Sequence, residues 1–167
     1  MKRFFNIYKL PIVALILVLV AFSTYLYFEY DDKLFLGSLG VIVTIYFGIT
    51  KTEMENDKLF KELFRDFNLR YSELNECLYK ITESNKTLEN LSFKEKDKVY
   101  DYFNLCAEEY YWYKKNRINK KVWNSWKEGM KYWYSKPIIK ELWKKEMDNS
   151  NAKSSYYLEL DESFFED

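Results

Sequence analysis

Adjacent carboxylates at Glu108 and Glu109, together with Arg70 and Asn104, are the side chains in this chain whose types could do chemistry. Two neighbouring carboxyls could share general acid and base work, or could join the guanidinium and the amide in a polar pocket for a small ligand, as an enzyme or a sensor would use it. The remaining composition argues against a reaction. Histidine is absent, which removes the commonest general base, the commonest metal ligand and every Ser/His or Cys/His nucleophile. The only thiols, Cys77 and Cys106, make neither a disulfide framework nor, without histidine, a zinc site. They read as reduced, semi-buried packing residues. No catalytic residue, cofactor or metal is therefore assigned.

Helical spacing offers the same charges a structural use. Arg70 falls on an apolar stripe seven residues before Cys77, and Glu109 on a second stripe four before Tyr113. Opposite charges at the seam of neighbouring helices predict a mutual ion pair, with Glu108 as the alternative acid. Such a pair specifies register more reliably than it stabilises.

A second group of residues invites binding rather than catalysis. The stretch YYWYKKNRINKKVWNSWKEGMKYWY, Tyr110 to Tyr134, holds nine aromatic and seven basic side chains in twenty-five positions. The bases are Lys114, Lys115, Arg117, Lys120, Lys121, Lys127 and Lys131. The whole chain is neutral, with 26 basic and 26 acidic residues, but in blocks: Trp112 to Lys145 carries a local net of +9 and Glu146 to Asp167 one of −6. The tryptophans and several tyrosines recur at core spacing with lysines between them, so the stretch reads as an aromatic core with a basic outside face. Three partners suit that face: anionic lipid headgroups, a cytoplasmic protein or ribonucleoprotein, and the chain's own acidic segment SYYLELDESFFED. No RNP, KH or helix-turn-helix signature accompanies it.

The elements that must position these groups begin with two apolar runs. Leu10 to Phe28 has no charge in nineteen residues, about 28 Å of helix, close to a hydrocarbon core. Leu34 to Thr50 gives seventeen more after the polar EYDDK, with Lys33 and Lys51 able to snorkel. Lys2, Arg3 and Lys9 precede the first run, whereas Lys33 is the only base between the two. The expectation is a two-span hairpin in the inner membrane with both termini cytoplasmic. Gly37, Gly40, Thr44 and Gly48 line one face of the second span, and small residues at such steps let helix backbones approach closely. That face either receives the first span, which packing within the hairpin favours, or builds a homo-oligomer.

Beyond the hairpin, Phe60, Phe67, Leu74 and Ile81 sit seven apart, with Leu63, Phe64, Tyr71, Cys77 and Leu78 alongside. This pattern predicts a long amphipathic helix nearly continuous with the second span. Ser92-Phe-Lys-Glu95 is a capping-box pattern opening a second helix with Val99, Phe103, Cys106, Tyr110 and Tyr113 inside. Asn116 or Asn119 can cap a third helix, and Pro137 can open a fourth. The fold expected is all-α: a hairpin in residues 1–50 with spans at about 10–28 and 34–50, a cytoplasmic four-helix domain in 51–147, and an acidic tail in 148–167.

The strings LFRDFNLRYSELN (Leu63 to Asn75), DYFNLCAEEYYWYK (Asp101 to Lys114) and VWNSWKEGM (Val122 to Met130) resemble a signature of uncharacterised small bacterial proteins, often membrane-anchored. The resemblance covers about half the chain and implies a bacterial source and a real domain without supplying a reaction. More loosely, two spans plus a small cytoplasmic domain is similar to the layout of membrane effectors in anti-phage systems, including some retron systems. In those a partner restrains a protein that damages the inner membrane on release. The reading is a non-enzymatic inner-membrane protein whose cytoplasmic domain binds a partner and controls the hairpin, plausibly as such an effector. A passive membrane adaptor recruiting protein or RNA is the alternative.

Overall fold

The structure is a computed structural model that describes residues 2–28, 31–84, 86–149 and 151–165, with side chains from residue 8 onward. It is all-helical, and the described residues contain no strand. Helix α1 runs Lys2–Phe28, α2 Asp32–Glu83, α3 Phe93–Lys114, α4 Lys120–Tyr134, α5 Pro137–Met147 and the short α6 Ala152–Ser155, with a 3-10 turn at Leu88–Asn90. The chain divides into two compact units, residues 1–58 and 59–167.

In the first unit, α1 and the start of α2 are long and apolar enough to cross a membrane. Their large side chains stand exposed, among them Leu15, Leu19, Val41 and Phe47. Their serine and threonine hydroxyls bond back along their own helix, Ser23 to the Leu19 carbonyl at 2.8 Å and Thr44 to that of Gly40 at 2.8 Å. Such back-bonding satisfies a polar group where no water is at hand. Asp31 caps α2 by accepting from the Lys33 N–H at 3.0 Å. The polar connection is thus shorter than the EYDDK segment, because Asp32 and Lys33 are already helical; Glu29 and Tyr30 lie outside the described residues. Across the turn, the Tyr25 hydroxyl donates to Asp32 Oδ1 at 2.6 Å and its ring stacks on Phe35 at 4.7 Å.

The second unit is built around α3, whose buried positions Val99, Tyr102, Phe103, Leu105, Cys106, Ala107 and Glu109 take up most of its circumference. A helix covered this completely has neighbours on nearly every side. Helix α2 contributes Phe67, Leu74, Leu78 and Ile81, the expected seven-residue stripe with Leu78 beside it. The cap residues do what the sequence foretells. Ser92 Oγ accepts from Glu95 N, and Glu95 returns a bond to Ser92 N at 2.9 Å. Lys86 and Ser92 together hold the Glu95 carboxyl down to about 2. Asn119 caps α4 by accepting from Val122 N at 3.0 Å. Asn116 instead ends α3: its φ of 56° is left-handed, and Arg117 N and Asn116 N donate to the carbonyls of Trp112 and Tyr113. That is the Schellman closure, in which asparagine is the usual substitute for glycine. Pro137 opens α5 as expected.

The acidic segment after Met147 does not stand apart as a tail. It turns through α6 and inserts Tyr156, Leu158, Phe164 and Phe165 into the core, with Phe164 fully buried. Trp143 of α5 receives three of these rings at centroid distances of 5.0 to 5.1 Å, and Phe165 stacks on Tyr134 at 4.8 Å. Each buried aromatic of this kind contributes about 1.5–3 kcal/mol by removal from water.

Candidate ligand recess and charged surfaces

Arg70 forms its ion pair with Glu108, not with Glu109. The contact is bidentate, Nη1 to Oε2 at 2.7 Å and Nη2 to Oε1 at 2.8 Å, and Asp66 adds a weaker contact at 3.6 Å. Hydrogen bonding to Glu108 holds the guanidinium above its ordinary pKa, against the opposing effect of its partial burial. Arg70 and Glu108 are each about a third exposed, at 34% and 37%. The expected pairing with Glu109 fails for a geometric reason. Adjacent helical residues point about 100° apart, so of the two carboxyls only one can face the guanidinium. Arg70, Asn104 and Glu108 line a shallow, open depression that Glu109 does not reach.

Glu109 turns inward and is 7% exposed. Its carboxyl pKa is pushed up to about 8, first by burial, with the nearby Glu108 adding to the rise and Arg70 opposing it. It lines a recess of about 160 Å³ between α2, α3 and α4. Phe67 and Tyr71 of α2, Tyr102 of α3 and Trp126 of α4 give this recess aromatic walls. Their positions are fixed: Trp126 meets Phe67 edge-on at 5.8 Å, and Tyr71 Oη accepts from Trp133 Nε1 at 2.9 Å. Among the described residues, the buried Tyr102 Oη and Asn75 Oδ1 have no nitrogen or oxygen hydrogen-bond partner, and the first belongs to a residue lining this recess. Burial pushes both the Tyr102 phenol and the Cys106 thiol well above their ordinary pKa values, so Cys106 is an inert thiol. Cys77 is half-buried, and both cysteines are free. No cluster that could hold a metal ion occurs among the described residues.

The basic stretch separates as its spacing predicts. Trp123, Met130 and Trp133 are buried, whereas Lys115, Arg117, Lys120 and Lys121 are exposed. Lys127 and Lys131 are half-exposed, and Lys131 lies 3.5 Å from Glu128. Lys114 is drawn to the C-terminal segment, donating to Glu162 at 2.8 and 2.9 Å and to Glu159 at 3.4 Å. Lys115 lies over the Tyr111 ring at 5.5 Å. Lys114 thus meets the chain's own acids in that segment, beside the aromatic burial that seats it.

The small-residue stripe does not receive the first span. Gly37, Gly40, Thr44 and Gly48 are all exposed, and a Cβ built on any of the three glycines meets nothing within 4 Å. The less exposed positions of this part of α2 are Phe35, Ser38, Leu39, Ile42, Tyr46 and Thr50. At about 100° per residue that set centres roughly 180° from the glycines. On α1 the less exposed positions include Ala14, Val18 and Ala21. The less exposed face of α2 is thus the one opposite its glycines.

No protein family, curated protein or solved structure matches the chain.

Proposed function

We propose that this chain is a non-enzymatic inner-membrane protein whose α1–α2 hairpin lies in the bilayer and whose cytoplasmic four-helix domain binds a partner that controls the hairpin. Its activity on release is disruption of the membrane, as a defence effector. One observation carries this reading: the single helix α2 contains both the second apolar run and the core residues Phe67, Leu74, Leu78 and Ile81. A partner that shifts the packing of those residues acts on the same element that would sit in lipid. The exposed apolar side chains of both spans support a lipid surround. The commitment of Glu108 to Arg70, with Glu109 turned away from it, supports a role without catalysis by that pair.

In this reading the outward stripe of Gly37, Gly40, Thr44 and Gly48 packs copy against copy. The test is induction of the full-length protein alone in a bacterial host, following growth and a membrane-potential dye beside a variant lacking residues 1–50. Depolarisation that needs the hairpin is the expected result. Gly40→Leu adds bulk where nothing in the chain is displaced, so it should abolish depolarisation while leaving expression intact. Normal growth with the protein confirmed in the membrane would replace the effector by an adaptor, whose exposed Lys120, Lys121, Lys144 and Lys145 suit a polyanionic partner.

A further inference from the structure

The recess between α2, α3 and α4 leaves a charge account open. Asp66, Glu108 and Glu109 are gathered near one cation, Arg70, which is engaged by the first two. Glu109, more than nine-tenths buried, is not engaged by Arg70 and meets no hydrogen-bond donor among the described residues. Two turns earlier on the same helix, Tyr102 Oη is buried with only the weak Cys106 thiol to bond to. Buried polar groups without partners are rare and costly in native proteins, and a bound molecule that completes them is one explanation.

The walls around these groups have the right chemistry for a cation. Phe67, Tyr71, Tyr102 and Trp126 line the space, and no lysine or arginine does. Aromatic rings around a carboxylate are the usual recognition set for an organic ammonium group. At about 160 Å³ the space is close to a cavity of about 150 Å³ that takes up benzene, so the ligand has a body of one small ring or a short chain.

Gly129 of α4 lines the same recess, and a Cβ there would meet nothing within 4 Å. Glycine inside a helix costs roughly 0.5–1 kcal/mol against alanine. Neither close helix packing nor backbone conformation requires it here, which leaves the volume it keeps open.

We propose that this recess is a binding site for a small organic amine, its ammonium held by Glu109 among the rings of Phe67, Tyr71, Tyr102 and Trp126. The inference does not depend on the membrane reading. On binding, the Glu109 carboxyl gives up its proton to solvent and pairs with the ammonium. The titratable or charged groups facing it are Arg70 and Tyr71 from α2 and Tyr102, Cys106 and Glu108 from α3; the lining residues of α4 carry none.

Full-length protein in phosphatidylcholine nanodiscs is titrated calorimetrically with benzylamine, and with benzyl alcohol as a neutral probe of the same size, empty nanodiscs serving as blanks. Benzylamine should bind at least tenfold more tightly than benzyl alcohol. Repeating the titration at pH 7 in buffers of different ionisation enthalpy should reveal a released proton. Glu109→Gln should weaken benzylamine at least tenfold and abolish proton release. Gly129→Leu fills the recess without touching the carboxyl and should abolish binding of both probes, which keeps the test intact if the Glu109 variant does not fold. Equal affinity for the two probes, unchanged benzylamine binding in either folded variant, or no binding to the wild type at millimolar concentration would each overturn the proposal.

Discussion

Glu109→Gln should make the protein more stable at neutral pH and remove part of its pH dependence. The Glu109 carboxyl ionises at about 8 in the folded chain because burial disfavours its charge, against an ordinary value of 4.5. Between those values the unfolded chain gives up a proton that the folded chain keeps, so stability falls as pH rises from about 4.5 to about 8 and is level beyond. At about 1.4 kcal/mol per pH unit, the loss from this one group is on the order of 3 kcal/mol by pH 7 and 5 by pH 8. Glutamine carries no charge at any of these pH values and is nearly the same shape. Its amide meets the same absence of partners as the neutral carboxyl, so the desolvation costs largely cancel. The assay is urea unfolding of full-length protein in nanodiscs at pH 5, 6, 7 and 8, read by tryptophan fluorescence. The difference between variant and wild type isolates this group from every other titration. It should be near zero at pH 5 and grow by at least 2 kcal/mol by pH 8. A difference that stays flat with pH, or a variant less stable throughout, would refute the view that Glu109 is buried as a neutral acid.

Phe164→Ala should cost about 3–5 kcal/mol in the same assay, because the ring is fully buried against Trp143 and Tyr110. Leu160→Ala, at a side chain 91% exposed four residues away, should stay within about 0.5 kcal/mol; similar effects at both sites would return the segment to an acidic tail apart from the core. A double-mutant cycle between Arg70 and Glu108 should give a coupling of about 0.5–1 kcal/mol, since the pair is a third exposed and partly screened. The cycle between Arg70 and Glu109 should give less, and the reverse order would restore the pairing anticipated from spacing alone.

What could be read from the sequence and what could not divide along the reach of local rules. The seven-residue stripe through Phe67, Leu74 and Ile81, the Ser92 and Glu95 box, the Asn119 cap and the Pro137 start all depend on residues within a turn or two, and each is found where spacing put it. In the sequence, docking of the C-terminal segment is one of three readings open for the basic face, because charge dominates its composition while four apolar side chains decide its fate. Acids at Glu159 and Glu162 remain in solvent or on Lys114, so they do not oppose burial of Phe164 and Phe165. The glycine stripe misled for a different reason: small residues mark where a backbone can be approached, not which helix approaches it. Phe35, opposite the glycines, is the residue of α2 whose ring meets those of Phe22 and Tyr25 of α1.

The candidate site turns on the narrowest ambiguity of all. Glu108 and Glu109 are chemically identical neighbours, and an assignment of one to Arg70 and the other to the interior needs the azimuth of α3 to within about half of the 100° step between them. Periodicity fixes that azimuth only when one face of a helix is apolar and the other polar. In α3 the buried set spreads around most of the helix, so the pattern is weakest at the helix that matters most. The recess follows from that azimuth. With Glu109 inward and Arg70 held by Glu108 and Asp66, the interior carries an acid that the chain's own cation is not placed to neutralise. Rotating α3 by one residue would exchange the two carboxyls and erase both the raised pKa and the reason for a cationic ligand.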